Sequence, residues 1–320
     1  MGVRSAVFSM VFAAGMGAAA AQTPAGETLS FPSLTMSDSQ FLQGDKAAAS
    51  EVTLTGRLRL PEGDGPFPAV ILLHGSDGPK SALAWNWARV LGDYGVASFA
   101  IDSYTARGHE EIFSGQARVG EFNNVIDTFE ALRLLAADPR IDAGRIAVMG
   151  FSRGGIPALY SAMTRFEDLY APEGLRLAAH LPFYPPCNFR LDRELEVGPE
   201  PIRAFHGEAD VWNPLPRCKD YVERLAAAGH DATISTYPGA HHAFDHPGSP
   251  SYNVKETAQT SRRCMRVEED GVLINEATGE PFAWTDACVE LGPAVQYNGA
   301  AADGAAAEIR TFLSGLFRLE

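Results

Sequence analysis

The sequence has few positive charges for its length. Its 320 residues contain 26 lysines and arginines against 40 aspartates and glutamates, a formal net charge of −14. A surface of that sign repels nucleic-acid phosphates and anionic lipid head groups, so we expect neither as a partner. Hydrophobic residues make up 46% of the chain, which supports a sizeable core and excludes a disordered protein.

Long hydrophobic runs are missing beyond the N-terminus. After residue 21 no apolar stretch is long enough to span a bilayer. Before it, Arg4 precedes an apolar run over residues 6–20 that ends in an Ala-x-Ala cleavage pattern, as in a secretory signal peptide. We therefore expect residues 1–21 to be a signal peptide and the mature chain, residues 22–320, to be exported, either periplasmic or secreted, without a membrane anchor.

Cysteine is scarce, and none of the four cysteines has the spacing of a zinc site. We therefore expect no metal. In an oxidising compartment an even number of cysteines favours disulfides. The pairing that closes the shortest loops without crossing is Cys187 with Cys218 and Cys264 with Cys288. Each such bridge would stabilise the fold by roughly 3–4 kcal/mol.

Short apolar runs recur along the chain and predict a sheet. A continuous run such as residues 69–73, AVILL, is typical of a central parallel strand covered on both faces. Residues 51–60 instead alternate as a half-buried strand does, and the short turn after them predicts antiparallel pairing with a neighbour. The remaining predicted strands are residues 96–101, 145–149, 178–183, 202–205 and 232–237.

Helical patterns lie between several of these strands. Apolar residues from Val119 to Leu132 follow a three- to four-residue spacing, and residues 214–228 and 303–318 can also form helices. Alternating strands and helices predict an α/β fold with a doubly wound, mostly parallel sheet and an antiparallel leading strand. We expect a single domain.

Residues 245–300, called the excursion below, interrupt this pattern. They are rich in glycine, proline and polar residues and have no strong helical period. Residues 263–268 and 271–275 flank Glu269 and Asp270 and predict a small hairpin, which the bridge from Cys264 would hold. The sequence leaves open whether the excursion caps the site described next or lies at the far edge of the domain.

Ser152 is the candidate nucleophile. It lies in GFSRGG, residues 150–155, directly after a predicted strand and before a helical stretch. A serine on such a sharp turn needs glycines two residues before and after it, because side chains there would collide with the backbone. The N-terminus of the following helix would direct free N–H groups at the site.

A serine nucleophile needs a base, and the base needs an acid that orients it. Two more polar motifs follow predicted strands downstream of Ser152: HGEAD at residues 206–210 and YPGAHHAF at residues 237–244. The carboxyl ends of parallel strands form the edge where such sheets bind ligands. Nucleophile, acid and histidine are thus expected at one edge, in the chain order typical of α/β-hydrolases.

GFSRGG, HGEAD and YPGAHHAF, in that order, resemble the dienelactone hydrolase-like family of α/β-hydrolases. The resemblance covers about residues 50–245 and the closing helix, and it implies an α/β-hydrolase fold. It also implies that Asp210 orients His242, which is the base. Glu208 is the alternative acid and His241 the alternative base; a solvated carboxylate and a packed histidine are their ordinary roles.

An oxyanion hole needs two donors aimed at the developing negative charge. The residue after the nucleophile, Arg153, can supply one backbone N–H. The resemblance implies that the second comes from Ser76, in the HGSDG loop after residues 69–73, where Gly75 would permit a close backbone approach. A simple glycine turn is the alternative interpretation of this loop.

Two positions depart from the family pattern. Its namesake enzymes have a cysteine nucleophile and an oxyanion-loop glutamate, where this chain has Ser152 and Gly75. An arginine that matches Arg107 contacts the substrate carboxylate in those enzymes, and a guanidinium suits bidentate carboxylate binding. Arginines in such loops more often pair with a local acid. Three tryptophans near the motif loops could line an acyl pocket, although packing is their commoner role: Trp85, Trp87 and Trp212.

The sequence therefore predicts a serine hydrolase that cleaves carboxylic esters, or related acyl bonds, of a small-molecule substrate through an acyl-enzyme. This chemistry requires no cofactor. Lactone opening, as in dienelactone hydrolases, and acyl-peptide cleavage are alternatives within the same class. A non-catalytic alternative is a periplasmic binding protein or a hydrolase fold retained for binding. Nothing in the sequence indicates the oligomeric state.

Overall fold

The computed structural model describes residue 2 and residues 26–319. The predicted signal peptide, residues 1–21, and its cleavage point lie outside the described residues, apart from residue 2. Within the described ranges, no helix has the length and the apolar character that crossing a bilayer demands.

The main sheet has eight strands in the order β1-β2-β4-β3-β5-β6-β8-β9. All neighbours from β4 to β9 in this order are parallel, whereas β1 with β2 and β2 with β4 are antiparallel. The strands are β1 Glu27–Thr35, β2 Ser50–Arg59, β3 Phe67–Leu73, β4 Ala97–Asp102, β5 Ile141–Phe151, β6 His180–Phe183, β8 Ile202–Gly207 and β9 Ala232–Tyr237; the separate strand β7 is Phe189–Arg190.

Helices cover both faces of this sheet. The helices are α1 Asp38–Gln43, α2 Ala82–Gly92, α3 Asn123–Ala136, α4 Gly155–Tyr160, α5 Thr164–Tyr170, α6 Leu215–Ala227 and α7 Gly299–Phe317. Single 3-10 turns occur at Lys46–Ala48, Thr105–Arg107, Gln116–Arg118 and Ser152–Gly154. The three layers are those of an α/β-hydrolase fold, as the sequence predicts.

Strand β3 explains why this sheet needs two covers. Ile71 and Leu73 pack into the core on one face, where α3 and α4 lie against β3. Val70 and Leu72 pack into the core on the other face, with α2 and α7. Because successive side chains of a strand point to opposite faces, a continuous apolar run is stable only between two helical layers.

The structure corrects three details of the predicted fold. The strand predicted at residues 51–60 is antiparallel, but it pairs with β4 and β1 rather than with β3. Strand β1 and helix α2 are not among the predicted elements. Helix α3 begins at Asn123, so Val119 and Phe122 are buried ahead of the helix and not on its stripe.

The excursion consists of short strands rather than a second domain-sized sheet. They are β10 Asn253–Val254, β11 Gln259–Thr260, β12 Arg266–Glu269, β13 Val272–Asn275, β14 Glu280–Pro281, β15 Glu290–Leu291 and β16 Ala294–Val295. The hairpin of β12 and β13 turns at Asp270 and Gly271, both with positive φ, as a type I′ turn requires.

Two disulfides join Cys187 to Cys218 and Cys264 to Cys288. The first connects the loop after β6 to helix α6. The second closes the part of the excursion that contains the β12–β13 hairpin.

Candidate active site

Ser152 lies on a strained turn between β5 and α4. Its φ is +53°, a left-handed backbone conformation that the tight turn imposes on a residue with a side chain. A Cβ on Gly150 would overlap the carbonyl of Gly154, and one on Gly154 would overlap that of Leu73. Both glycines are therefore required for the turn to pack against β3.

His242 lies in the loop after β9, and its Nε2 atom is 2.9 Å from Ser152 Oγ. The imidazole is buried and held between two aromatic rings. The ring centroid of Tyr184 is 4.8 Å from that of His242, and the ring centroid of Trp212 is 5.0 Å away. This packing fixes the plane in which Nε2 meets the serine hydroxyl.

Asp210 follows β8, and its Oδ2 atom is 2.8 Å from His242 Nδ1. Its other oxygen, Oδ1, accepts hydrogen bonds from the backbone N–H groups of Trp212 and Asn213, each at 2.8 Å. A carboxylate held in this way accepts a hydrogen bond from Nδ1–H. The unprotonated Nε2 can then accept the proton of the Ser152 hydroxyl.

The alternative acid and base have other surroundings. Glu208 is exposed and accepts a hydrogen bond of 2.9 Å from Thr236 Oγ1. The His241 ring packs edge-on against Tyr252, with centroids 5.0 Å apart. The hydrogen-bonded chain from the serine thus runs through His242 and Asp210.

The two residues proposed for the oxyanion hole lie on either side of Ser152. Ser76 follows β3, and a Cβ on its neighbour Gly75 would lie 3.4 Å from the Cβ of Ser152. Gln116 connects the two: its Nε2 donates to Ser76 Oγ at 3.0 Å, and its Oε1 accepts from Arg153 Nη1 at 3.2 Å. The backbones of both loops are therefore held close to the nucleophile.

The side chain of Arg153 is buried, and both of its terminal nitrogens have partners. It donates to the Val119 carbonyl at 2.6 Å and pairs with Glu121 at 3.4 Å. Glu121 also pairs with Arg266, a fully buried arginine of the excursion whose pKa burial lowers. This network ties the turn after the nucleophile to the excursion.

The substrate-binding role predicted for Arg107 does not fit the structure. Its guanidinium makes two 2.8 Å bonds to the carboxylate of Asp127, and both side chains are buried. It also donates to the carbonyls of Leu34 and Ser103 and to Thr35 Oγ1. Since Asp127 is buried in helix α3, it needs this counter-charge, so Arg107 follows the alternative of a local ion pair.

His74 fastens the loop that carries Ser76. Burial lowers the pKa of His74, so the ring is neutral and can both donate and accept. Its Nδ1 atom is 2.9 Å from the Gly75 carbonyl, and its Nε2 accepts from the Ser103 N–H at 3.2 Å. The loops after β3 and β4 are thereby joined.

Asp245 holds Tyr184, the ring that packs against the base, and the sequence did not indicate this role. It accepts hydrogen bonds from Tyr184 Oη at 2.5 Å and from Trp87 Nε1 at 2.7 Å. Burial raises the pKa of Asp245, and the two hydrogen bonds act against that rise. Trp87 is thus a core residue, Trp212 lies at the site, and the side chain of Trp85 is outside the described part.

The excursion reaches the site and lines its cavities, which answers the question that the sequence left open. A cavity of about 140 Å³ beside Ser152 is lined in part by Lys255 and Val295. A second cavity, of about 20 Å³, is lined in part by Gln259 and Trp284. These residues carry no recognisable motif, because irregular loops have no periodicity that relates them to a distant strand end.

No group of three or more His, Cys, Asp and Glu side chains within the described residues is arranged to hold a metal ion. The polar groups around Ser152 are instead engaged in the hydrogen bonds given above. The chemistry available to these residues is proton transfer from a hydroxyl to an imidazole, beside a larger cavity with mainly apolar walls and a smaller one with mainly polar walls.

The sequence profile of the dienelactone hydrolase family matches residues 54–267. A putative carboxymethylenebutenolidase of Yersinia pestis is 26% identical over 220 residues, which cover 63% of this chain and 77% of that protein. The esterase FrsA of Escherichia fergusonii is 29% identical over 127 residues, 40% of this chain. That match spans only 29% of FrsA.

Solved structures share the fold. A putative dienelactone hydrolase from Klebsiella pneumoniae superposes with a TM-score of 0.54 at 16% identity, covering 90% of this chain and 99% of that one. A dienelactone hydrolase-like promiscuous phosphotriesterase from metagenomic libraries gives 0.52 at 18% identity, covering 91% and 99%. At these identities the likeness concerns the fold.

Proposed function

Because the chain belongs to the dienelactone hydrolase family and is a hydrolase, we propose that it cleaves carboxylic esters through an acyl-enzyme on Ser152. The observation that carries this proposal is the hydrogen-bonded chain from Ser152 through His242 to Asp210, with bonds of 2.9 and 2.8 Å. Nucleophile, base and orienting acid in this arrangement are what acyl transfer to a serine requires.

In the first half of the reaction, Ser152 Oγ attacks the ester carbonyl and His242 Nε2 takes its proton. The backbone N–H groups of Ser76 and Arg153 stabilise the resulting oxyanion. Collapse of the tetrahedral intermediate expels the alcohol, which receives the proton from His242. Asp210 stabilises the imidazolium throughout, and a water molecule then repeats these steps to release the acid.

The replacement Ser152→Ala tests this proposal. We expect the variant to lose hydrolysis of 4-nitrophenyl acetate by on the order of 10⁴-fold or more, because no nucleophile is left. Its circular dichroism and melting temperature should match those of the wild type. Full activity in a folded Ser152→Ala variant would contradict the proposal.

Fluorophosphonate labelling separates catalysis from mere binding. We expect the wild type to be labelled on Ser152, since the reagent needs the same activated hydroxyl. A binding protein would stay unlabelled and would copurify with an unchanged ligand.

Lactone opening is the second candidate, because the Yersinia relative is named a putative carboxymethylenebutenolidase. The ion pair of Arg107 with Asp127 favours ordinary esters, since it leaves Arg107 no donor for a substrate carboxylate. Comparing kcat/KM for a neutral ester with that for a carboxylate-bearing lactone decides between them.

We also propose that the protein is exported, with residues 1–21 removed and residues 22–320 forming one domain. The two disulfides support this, because such bridges persist in oxidising compartments. N-terminal sequencing of the protein from a periplasmic extract should begin at Gln22.

A further inference from the structure

We propose that His206, the histidine of the HGEAD motif, is a positioning residue that keeps Asp210 aligned with His242. This inference rests on the proposed ester hydrolysis at Ser152 and goes beyond it, because the steps given above use only His242 among the histidines. It starts from a second imidazole that lies against the same carboxylate.

His206 is the second-last residue of β8, and its side chain is completely buried. Its Nε2 atom lies 2.7 Å from the backbone carbonyl oxygen of Asn213, seven residues further along the chain. Because a carbonyl oxygen can only accept, Nε2 carries the hydrogen and donates it. The imidazole thereby closes the turn of residues 207–213, since it joins the last residue of the turn to the strand before it.

The ring of His206 is neutral, and this hydrogen bond fixes its tautomer. Burial lowers the pKa of His206, although Asp210 nearby and the bond to Asn213 act in the opposite direction. Within the described residues, Nδ1 is buried without a hydrogen-bond partner, so a proton added there would bury an unpaired N–H. His206 is therefore a fixed donor and not a carrier of protons.

The same Nε2–H group lies near Asp210, which the turn carries. Nε2 is 3.5 Å from Oδ2 of Asp210, the oxygen that is 2.8 Å from His242 Nδ1. The partial positive charge of this N–H stabilises the carboxylate on the side of the base. Asp210 is thus held at both oxygens, since Oδ1 accepts from the N–H groups of Trp212 and Asn213.

Asn213 connects His206 to the two rings that hold His242. Its side-chain Nδ2 donates to the Tyr184 carbonyl at 2.9 Å, and the ring of Tyr184 packs against the imidazole of the base. Its chain neighbour Trp212 supplies the other ring. A displaced Asn213 would therefore move the orienting acid and both rings that fix the base.

His206→Leu and His206→Gln separate the hydrogen bond from the packing. Leucine fills much of the space without a donor, whereas the amide nitrogen of glutamine can lie near the position of Nε2 and donate to the same carbonyl. For 4-nitrophenyl acetate, we expect kcat to fall about thirtyfold or more in His206→Leu and less than about fivefold in His206→Gln. KM should stay within about threefold of the wild type in both. Wild-type kcat in a folded His206→Leu variant, or an equal loss in both variants, would overturn the inference.

His206→Asn keeps the test decisive if leucine prevents folding. Its amide ends near the position of Nδ1 and cannot reach the Asn213 carbonyl, so kcat should fall as in the leucine variant. Asparagine and glutamine carry the same polar group and differ by one methylene, so only the reach of the donor changes. An asparagine variant as active as the glutamine variant would contradict the role of His206.

His180 is the matched control, because it too is a fully buried histidine and lies on β6, the strand next to β8. Its Nδ1 atom is 3.2 Å from the Ala158 carbonyl oxygen and 3.2 Å from Ser161 Oγ. We expect His180→Leu to lose stability and to keep kcat within about twofold of the wild type. An equal fall of kcat in the two leucine variants would show that losing any buried histidine of the sheet has this effect, and would overturn the inference.

The pH profile of kcat/KM distinguishes a positioning residue from a carrier of protons. If His206 transferred protons, replacing it would remove or displace the acidic limb of the profile. A fixed donor leaves that limb in place, so its midpoint in His206→Gln should lie within about 0.3 pH units of the wild type. A larger displacement would overturn the assignment.

These outcomes differ from those that test the proposed function. Full activity of His206→Leu would remove only the role of His206 and leave the esterase proposal standing. Failure of the wild type to hydrolyse any ester, together with no labelling of Ser152, would overturn both.

Discussion

Both the fold and the candidate site require a residue without a side chain at position 154, where the chain has Gly154. A methyl group there would overlap the carbonyl oxygens of Leu73 and His74, which are backbone atoms and cannot turn away. We expect Gly154→Ala to destabilise the protein by about 3 kcal/mol or more and to displace Ser152. Thermal unfolding and hydrolysis of 4-nitrophenyl acetate would measure both effects.

Gly315→Ala is the control for that replacement. Gly315 is an exposed position of α7, and a Cβ added there would point into open space. Alanine should stabilise the helix there by about 0.5–1 kcal/mol. Equal melting temperatures for the Gly154 and Gly315 variants would contradict the packing described for the nucleophile turn.

His180 gives the stability a defined pH dependence. It is fully buried in β6, where burial lowers its pKa to about 4. The unfolded chain binds this proton below about pH 6.5 and the folded chain does not until about pH 4, so acidification between these values favours unfolding. From pH 7 to pH 5 this histidine alone should cost about 2 kcal/mol.

Comparison with His180→Gln isolates that contribution. The free energy of unfolding, from urea titrations at pH 7 and pH 5, should depend on pH by about 2 kcal/mol less in the variant. Other groups with shifted pKa values, such as Asp38, are common to both proteins and cancel. The same pH dependence in both proteins would mean that burial does not lower the pKa of His180.

At the scale of elements, the Arg107–Asp127 pair connects β1, the loop after β4 and helix α3. Removing one partner leaves a buried charge, so we expect Arg107→Met to lose about 3–5 kcal/mol of stability. The ratio of kcat/KM for anionic and neutral esters should change less than twofold. Urea unfolding and ester assays of the same preparation would show both.

The double variant Arg107→Met with Asp127→Leu is the matched control. It removes both charges, and a buried pair replaced by apolar residues is often neutral in stability. We therefore expect it to recover most of the loss. A selective loss of anionic esters in a fully stable Arg107→Met variant would restore the substrate-binding role.

The strands that are covered on both faces could be predicted because their sequence is apolar without interruption. Strand β3 is an example: its buried residues leave no second interpretation. The pairing of β2 with β4 could not be predicted, because it depends on the order of the strands in the sheet and not on the short turn that follows β2. Strand β1 escaped notice since its exposed positions and Pro32 break the apolar pattern at a sheet edge.

The same division holds for the candidate site. Ser152, Asp210 and His242 were predictable as candidates because each follows a strand within a short motif. Asp245 was not, since a buried acid that accepts from Tyr184 and Trp87 has no local sequence pattern. Trp284 lies in an irregular segment, where only the folded chain relates it to a residue about 130 positions earlier.

At the scale of the whole molecule, buried ion pairs connect the excursion to the sheet domain. Arg266 of β12 is buried against Glu121, which also pairs with Arg153 next to the nucleophile. Arg165 in α5 pairs at 2.8 Å with Glu268 of the same strand. The excursion is therefore anchored to the sheet domain by buried ion pairs, while the bridge between Cys264 and Cys288 closes a loop within the excursion itself.

Strand β1 has a practical consequence for anyone who trims the gene. A clone limited to residues 54–267 would lack β1, part of β2 and all of α7. Without β1, the N–H and C=O groups along one edge of β2 would be unpaired, which favours strand pairing between molecules. Without α7, the apolar sheet residues that pack in the same core as Ile309 and Leu313 would be exposed. We expect inclusion bodies from this clone and soluble yield from residues 22–320, as centrifugation of the lysates would reveal. The segment that matches the family profile is thus shorter than the segment that we expect to fold.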